Sequence, residues 1–218
     1  MADLFPPWPT LSAFVLASLV LTLTPGPGVF YIVSRSLVQG RRSGLISVLG
    51  IALGNLGNAM ASALGLAALF AVSALAFAAV KYAGAAYLIY IGARMLLSRN
   101  DGTAPAAKAV SPGRVFRDAL VVSLLNPKTT IFYAAFLPQF VTAAASPMRQ
   151  SLALGMLFVT IAIITDGLYA LTAGSMSRLL ARGGAGRVGQ LLGGGLFIGL
   201  GLFTALAGSR GGAGATAR

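Results

Sequence analysis

The sequence has no cysteine and no histidine, which removes disulfides, thiolate or imidazole metal sites and imidazole proton shuttles together. Glutamate is missing as well: the 4 acidic residues are Asp3, Asp101, Asp118 and Asp166. A membrane-embedded enzyme would need convergent nucleophile, base or metal ligands, so with these three residue types absent an enzyme reading is set aside and no catalytic residue, metal or cofactor is expected. Charge is scarce too, at 9% of residues, where soluble domains carry about a quarter. A soluble core is excluded.

What the chain has instead is apolar length. It is 57% hydrophobic over 218 residues, with a mean hydropathy of +0.86, and several runs reach the roughly 20 residues a spanning helix requires. Spans are expected near Leu11–Ser34, Gly44–Phe70, Leu75–Leu97, Ala119–Val141, Ser151–Met176 and Val188–Ala207. That predicts an all-α polytopic membrane protein of six helices. The boundary between the second and third rests on length alone, with a tight turn near Val72-Ser73. The start lacks the basic region of a signal peptide, and no small-residue cleavage pattern follows the first run, which is therefore expected to be retained.

A net charge of +12 would suggest nucleic acid if it formed one patch on a soluble domain. It is spread between the apolar runs instead. Arg35, Arg41 and Arg42, then Arg94, Arg99, Lys108, Arg114 and Arg117, then Arg178, Arg182 and Arg187 mark three connections as cytoplasmic by the positive-inside rule, which places both termini outside and makes Trp8 an interface anchor. The whole chain, 1–218, reads as one transmembrane transporter domain: repeat A about 11–97, a flexible cytoplasmic loop about 98–116, repeat B about 117–207 and a disordered tail 209–218. Contact of the basic loop with anionic head groups is the simplest reading of its charge.

Two stretches repeat one pattern: Thr24-Pro25-Gly26-Pro27-Gly28-Val29-Phe30-Tyr31 and Asn126-Pro127-Lys128-Thr129-Thr130-Ile131-Phe132-Tyr133. Each lies inside a membrane-length run, so helices 1 and 4 are expected to be broken at proline, and a break in hydrocarbon survives only where the freed backbone groups face protein, water or a ligand. Three spans separate them, so the second enters the membrane in the opposite sense, as in inverted three-helix repeats. Both breaks fall about 13 Å from the cytoplasmic edge at 1.5 Å per residue, where they can meet.

Each segment after a break presents free N–H groups and a positive dipole end, which favours an anion such as a carboxylate. Gly26 and Gly28 allow close approach of a ligand, while Thr24, Asn126, Thr129 and Thr130 add hydrogen-bonding groups. Asp166 is expected about 18 Å from the cytoplasmic edge, as the one deeply placed acid. Its candidate roles are to receive a substrate ammonium, to carry a coupling proton, or only to pair with Lys128 between helices 4 and 5. Lys128 is read either as a partner of a substrate carboxylate or of Asp166, or as a lysine snorkelling to the interface. Asn55, at similar depth, lines the cavity or bonds between helices.

These residues resemble the LysE/RhtB family of bacterial amino-acid exporters. The likeness runs through Thr24-Pro25-Gly26-Pro27, the series Gly40, Gly44, Gly50 and Gly54 with Asn55, then Gly84-Ala85-Ala86-Tyr87-Leu88 with Gly92, Leu125-Asn126-Pro127-Lys128, Phe132, Leu137-Pro138-Gln139-Phe140 and Asp166. The resemblance implies six spans and efflux of amino acids such as threonine, homoserine, lysine or leucine from the inner membrane, driven by the proton-motive force. It makes Pro25, Pro27, Asn126, Pro127, Lys128 and Asp166 site candidates. Asp118-Ala119 departs from the glycine often found there in the family. The expected activity is secondary active export by proton antiport and alternating access, with an amino acid, protons and the bilayer as partners, no nucleic acid, and a homo-oligomer left open. A metal-cation exporter is disfavoured because one deep carboxylate is too few ligands; a passive pore or structural subunit is the other alternative.

Overall fold

Proline sets most of the boundaries. In the computed structural model, which describes residues 4–64, 74–97, 110–142, 146–182 and 186–206, helix α1 is Trp8–Leu23 and α2 is Pro27–Ala63, with Pro27 in its first turn. Proline suits a helix start because its missing N–H would have no partner there. Helix α3 is Ala74–Leu97, and α4 is Pro112–Leu124, again opened by proline. After a break at Leu125-Asn126, α5 is Pro127–Ile131 and continues as a π-helical turn, Phe132–Phe136, and a 3₁₀ turn, Leu137–Phe140. Helices α6, Pro147–Arg182, and α7, Gly186–Leu206, complete the order.

The described residues contain no strand, and within the six expected apolar runs they are helical apart from the breaks at 24–26 and 125–126 and the run ends at 64 and 141. By length and apolarity α6 can cross a membrane, α2 is long and apolar enough to do so but is interrupted at Gly40, and α4 with the segment after its break, bent by 45°, makes a third candidate. The expected turn near Val72-Ser73, most of the loop at 98–116 and the tail at 209–218 lie outside the described residues.

Helix α2 contains a corner. Gly40 has φ 81° and ψ −178°, a region open essentially to glycine alone, and the helix folds back there into two arms, 27–39 and 41–63. Gly44 lies so close to Ser36 that a Cβ would collide with the serine hydroxyl, and Gly28 lies against Ile51, where a Cβ would sit 3.4 Å from Cδ1. These two pairs, 36 with 44 and 28 with 51, make the arms antiparallel about residue 40. Arg41, beside the corner, packs on Gly174 and donates from Nη2 to Ser175 Oγ at 2.7 Å.

Small residues bring the other helices to backbone distance, as expected where lipid supplies no hydrophobic drive between helices. A Cβ on Gly50 would be 2.5 Å from the Phe116 carbonyl of α4, and one on Gly92 would be 2.6 Å from the Gly194 carbonyl of α7. Two apolar clusters result. One joins Tyr31, Ile51, Leu88, Val122 and Phe197. The other is aromatic, with Phe14, Phe132, Tyr133 and Phe158 packed around the segment after the second break, and the Phe132 and Phe158 rings 4.5 Å apart.

Candidate functional site

The first break follows from the spacing of its prolines. In a helix the Leu21 carbonyl accepts from residue 25 and the Leu23 carbonyl from residue 27, but both positions are proline and offer no N–H. Neither carbonyl is left bare. Lys128 Nζ donates to Leu21 O at 2.6 Å and also to Thr24 O, and the Tyr169 hydroxyl of α6 donates to Leu23 O at 2.9 Å. Two other segments thus supply the donors that Pro25 and Pro27 withhold, and the two breaks touch through Lys128.

The two helix starts differ. At the second break Asn126 caps α5: its Oδ1 accepts from Lys128 N at 3.1 Å, while Thr129 and Thr130 return their hydroxyls to Asn126 O at 3.1 and 2.9 Å. At the first break the cap position is Gly26, in extended conformation, and no side chain caps the helix. Of the two starts, this one leaves its first N–H, that of Gly28, without a side-chain acceptor. The caps also set a register that differs from the sequence pattern. Pro27, not Pro25, occupies the position equivalent to Pro127, so the eight-residue repeat is offset by two; Pro25 lies in the extended linker.

Between the breaks is a cavity of about 40 Å³ lined by Gly26, Gly28, Asn55, Asn126, Lys128 and Asp166 among others. At about 10–15 Å³ per water it has room for a few waters. Of the sequence candidates these six and Thr129 line it, while Thr130 does not. Thr24, Pro25, Pro27 and Pro127 do not; they shape the backbone around it, and the Thr24 hydroxyl returns to Val20 O at 2.6 Å. Asn55 receives the Ser123 hydroxyl at 3.1 Å on Oδ1, so the residue both lines the space and joins α2 to α4.

Asp166 is 6% exposed. Among the described residues the ion pairs are those of Asp118 with Arg35 and Arg117, and Asp166 takes part in neither. Its charge and that of Lys128 influence each other, yet the ammonium is committed to backbone carbonyls. The direct pair expected as one role of Lys128 is therefore not formed here.

Three features escaped the sequence reading. Tyr169 was not singled out, although the proline spacing already implied an acceptor needing a donor. Ile51, Phe158 and Ala162 supply the apolar lining. Most consequential, Asp118 is also buried: it and Arg35 are each 6% exposed in their side chains, with Nη2 3.7 Å from Oδ2. The Tyr87 hydroxyl donates to Asp118 at 3.1 Å, Arg35 Nε donates to the Tyr31 hydroxyl at 3.2 Å, and that hydroxyl donates to Val115 O at 3.1 Å. Two acids, Asp118 and Asp166, are thus buried among the described residues. The span estimate began at Ala119, whereas α4 begins seven residues earlier, at Pro112, and carries Asp118 inside.

Comparison with known proteins locates these features in a wider group. A family model described as LysE type translocator matches residues 19–208. The chain is 34% identical over 197 residues to an uncharacterised membrane protein of Vibrio cholerae, covering 89% of this chain and 96% of that one. It is also 34% identical over 162 residues to a homoserine/homoserine lactone efflux protein of Salmonella typhimurium, covering 74% of this chain and 79% of the other. An uncharacterised membrane protein of Pseudomonas aeruginosa matches at 34% over 165 residues, 72% and 73% of the two chains. No solved structure matches.

Proposed function

The chain belongs to the LysE family of translocators, and on that premise we propose that it exports a small, overall neutral amino acid, homoserine or a close derivative, in exchange for protons. The family and the efflux relatives indicate a membrane transporter rather than an enzyme. The observation that carries the finer reading is the convergence of two interrupted helices on one cavity with a buried, unpaired carboxylate. The uncapped start of α2 offers N–H groups and a positive dipole end to a carboxylate, and Asp166 offers an acceptor to an ammonium.

In this reading residues 11–97 and 117–207 form two inverted three-helix repeats of one transporter domain, in the inner membrane with both termini on the periplasmic side. Alternating access rocks one repeat against the other around the cavity. Protonation of Asp166 from outside releases the ammonium, and loss of that proton to the cytoplasm resets the site. Thr24, Pro25, Gly26, Pro27, Gly28, Asn55, Asn126, Pro127, Lys128 and Asp166 make up the binding region, some through the backbone alone.

Purified protein in liposomes tests this. Efflux of labelled homoserine should follow an imposed pH gradient, and Asp166→Asn should abolish the gradient-driven part. Unchanged gradient-driven efflux in the variant removes the proton role of Asp166, and flux indifferent to the gradient in the unaltered protein indicates a passive pore.

A further inference from the structure

Lys128 spends its ammonium on backbone carbonyls rather than on a carboxylate within ion-pair distance. Among the described residues it forms no ion pair, and Nζ donates instead to the carbonyls of Leu21 and Thr24. Gly26 makes this reach possible, because the lysine stem crosses it and a Cβ there would lie 3.1 Å from Lys128 Cδ. Asp166 lines the same cavity with no hydrogen bond or ion pair of its own among the described residues. The space therefore presents two backbone acceptors freed by a break, plus one carboxylate. Such a set suits a primary ammonium, which has three donors and no acceptor.

We propose that the Lys128 ammonium is a tethered stand-in for the ammonium of the substrate. It fills the carbonyl end of α1 while the cavity is empty, and an entering amino acid displaces it by seating its own ammonium between those carbonyls and Asp166. This rests on the amino-acid reading above. The exchange keeps the carbonyls satisfied in both states, so the empty carrier can return without stranding backbone acceptors in hydrocarbon.

The test uses the full chain in lipid nanodiscs, followed by thermal unfolding and by equilibrium binding. In Lys128→Ala the vacated space should take n-propylammonium, raising the unfolding midpoint by several degrees, while propan-1-ol and tetramethylammonium at equal concentration and ionic strength do not. Lys128→Gln keeps an N–H donor for the carbonyls but removes the competing charge. If the lysine holds the site about nine-tenths of the time, homoserine should bind this variant about tenfold more tightly than the unaltered protein, and N-acetylhomoserine should gain nothing. A tenfold loss of homoserine affinity in Lys128→Gln overturns the proposal, since Lys128 is then a primary carboxylate ligand. So does propylammonium acting no better than tetramethylammonium. Rescue by propylammonium with no amino acid bound by any variant retains the ammonium site and removes the amino acid as its ligand. Should Lys128→Ala not fold, the affinity comparison on Lys128→Gln decides.

Discussion

The buried pair of Arg35 and Asp118 gives a sharp prediction, because its two members have unequal reserves. Truncating one partner of a buried ion pair costs about 3–5 kcal/mol, since the other is left charged and unpaired. In Asp118→Ala, Arg35 retains the Tyr31 hydroxyl at 3.2 Å and the Tyr31 ring at 5.2 Å, which puts the loss near the lower end, about 3 kcal/mol. In Arg35→Met, Asp118 keeps the Tyr87 hydroxyl, and Arg117, 69% exposed and already 3.9 Å away, can swing in. That loss should be about 1–2 kcal/mol. The double variant Arg35→Met/Asp118→Leu replaces the pair with apolar groups and should return to within about 1 kcal/mol of the unaltered protein. At about 2–4 °C per kcal/mol for a chain of this size, Asp118→Ala should melt about 6–12 °C early in a fixed detergent. If the losses of Arg35→Met and of Asp118→Leu, each measured alone, add within about 0.5 kcal/mol in the double variant, the groups do not act as a unit. If Arg35→Met loses more than Asp118→Ala, the reserve assigned to Arg117 is wrong.

Gly40→Ala should cost about 1–3 kcal/mol, because its backbone region admits little but glycine; a melting point unchanged to within a degree would show that the corner relaxes freely. Gly50→Ala drives a methyl into the Phe116 carbonyl and should cost about 1–3 kcal/mol by separating α2 from α4, measurable by the same melt. Tyr169→Phe removes the donor to Leu23 O and should lower stability by about 1–3 kcal/mol as that carbonyl is left unpaired; equal melting of the two proteins would place water there instead. Asn126→Ala should cost about 1 kcal/mol and Asn126→Asp far less, so equal losses would deny the cap.

The broken helices were legible because proline at N1 and the absence of an N–H are local properties of the chain. Asp166 and Lys128 were legible as neighbours of one space, and both line the cavity between the breaks. The acceptor of Lys128 was not foreseen because it is backbone, with no residue type to announce it; the prolines 25 and 27, read four residues back, pointed to carbonyls 21 and 23 all the same. Asp118 was misjudged because hydropathy dates a span from its apolar onset, whereas Pro112 starts the helix within a polar stretch. The two-residue offset between the repeats has a similar origin. Pro25 and Pro27 look alike in sequence, and only the helix start distinguishes them. Helix α6 likewise runs past the apolar window of Ser151–Met176 at both ends, where polar residues continue the helix.

Gly40 joins its two arms without a loop, and this has a mechanical meaning. From Gly40 to Gly28 is twelve residues, about 18 Å of rigid rod at 1.5 Å per residue. A rotation of about 10° in the torsions of that one glycine therefore sweeps the far tip by about 3 Å, roughly the diameter of a water molecule, right where the rod meets the ligand space. Arg41, next to the pivot, is held by Ser175 and Gly174 of α6, so a shift of that helix would be geared directly to the aperture of the space.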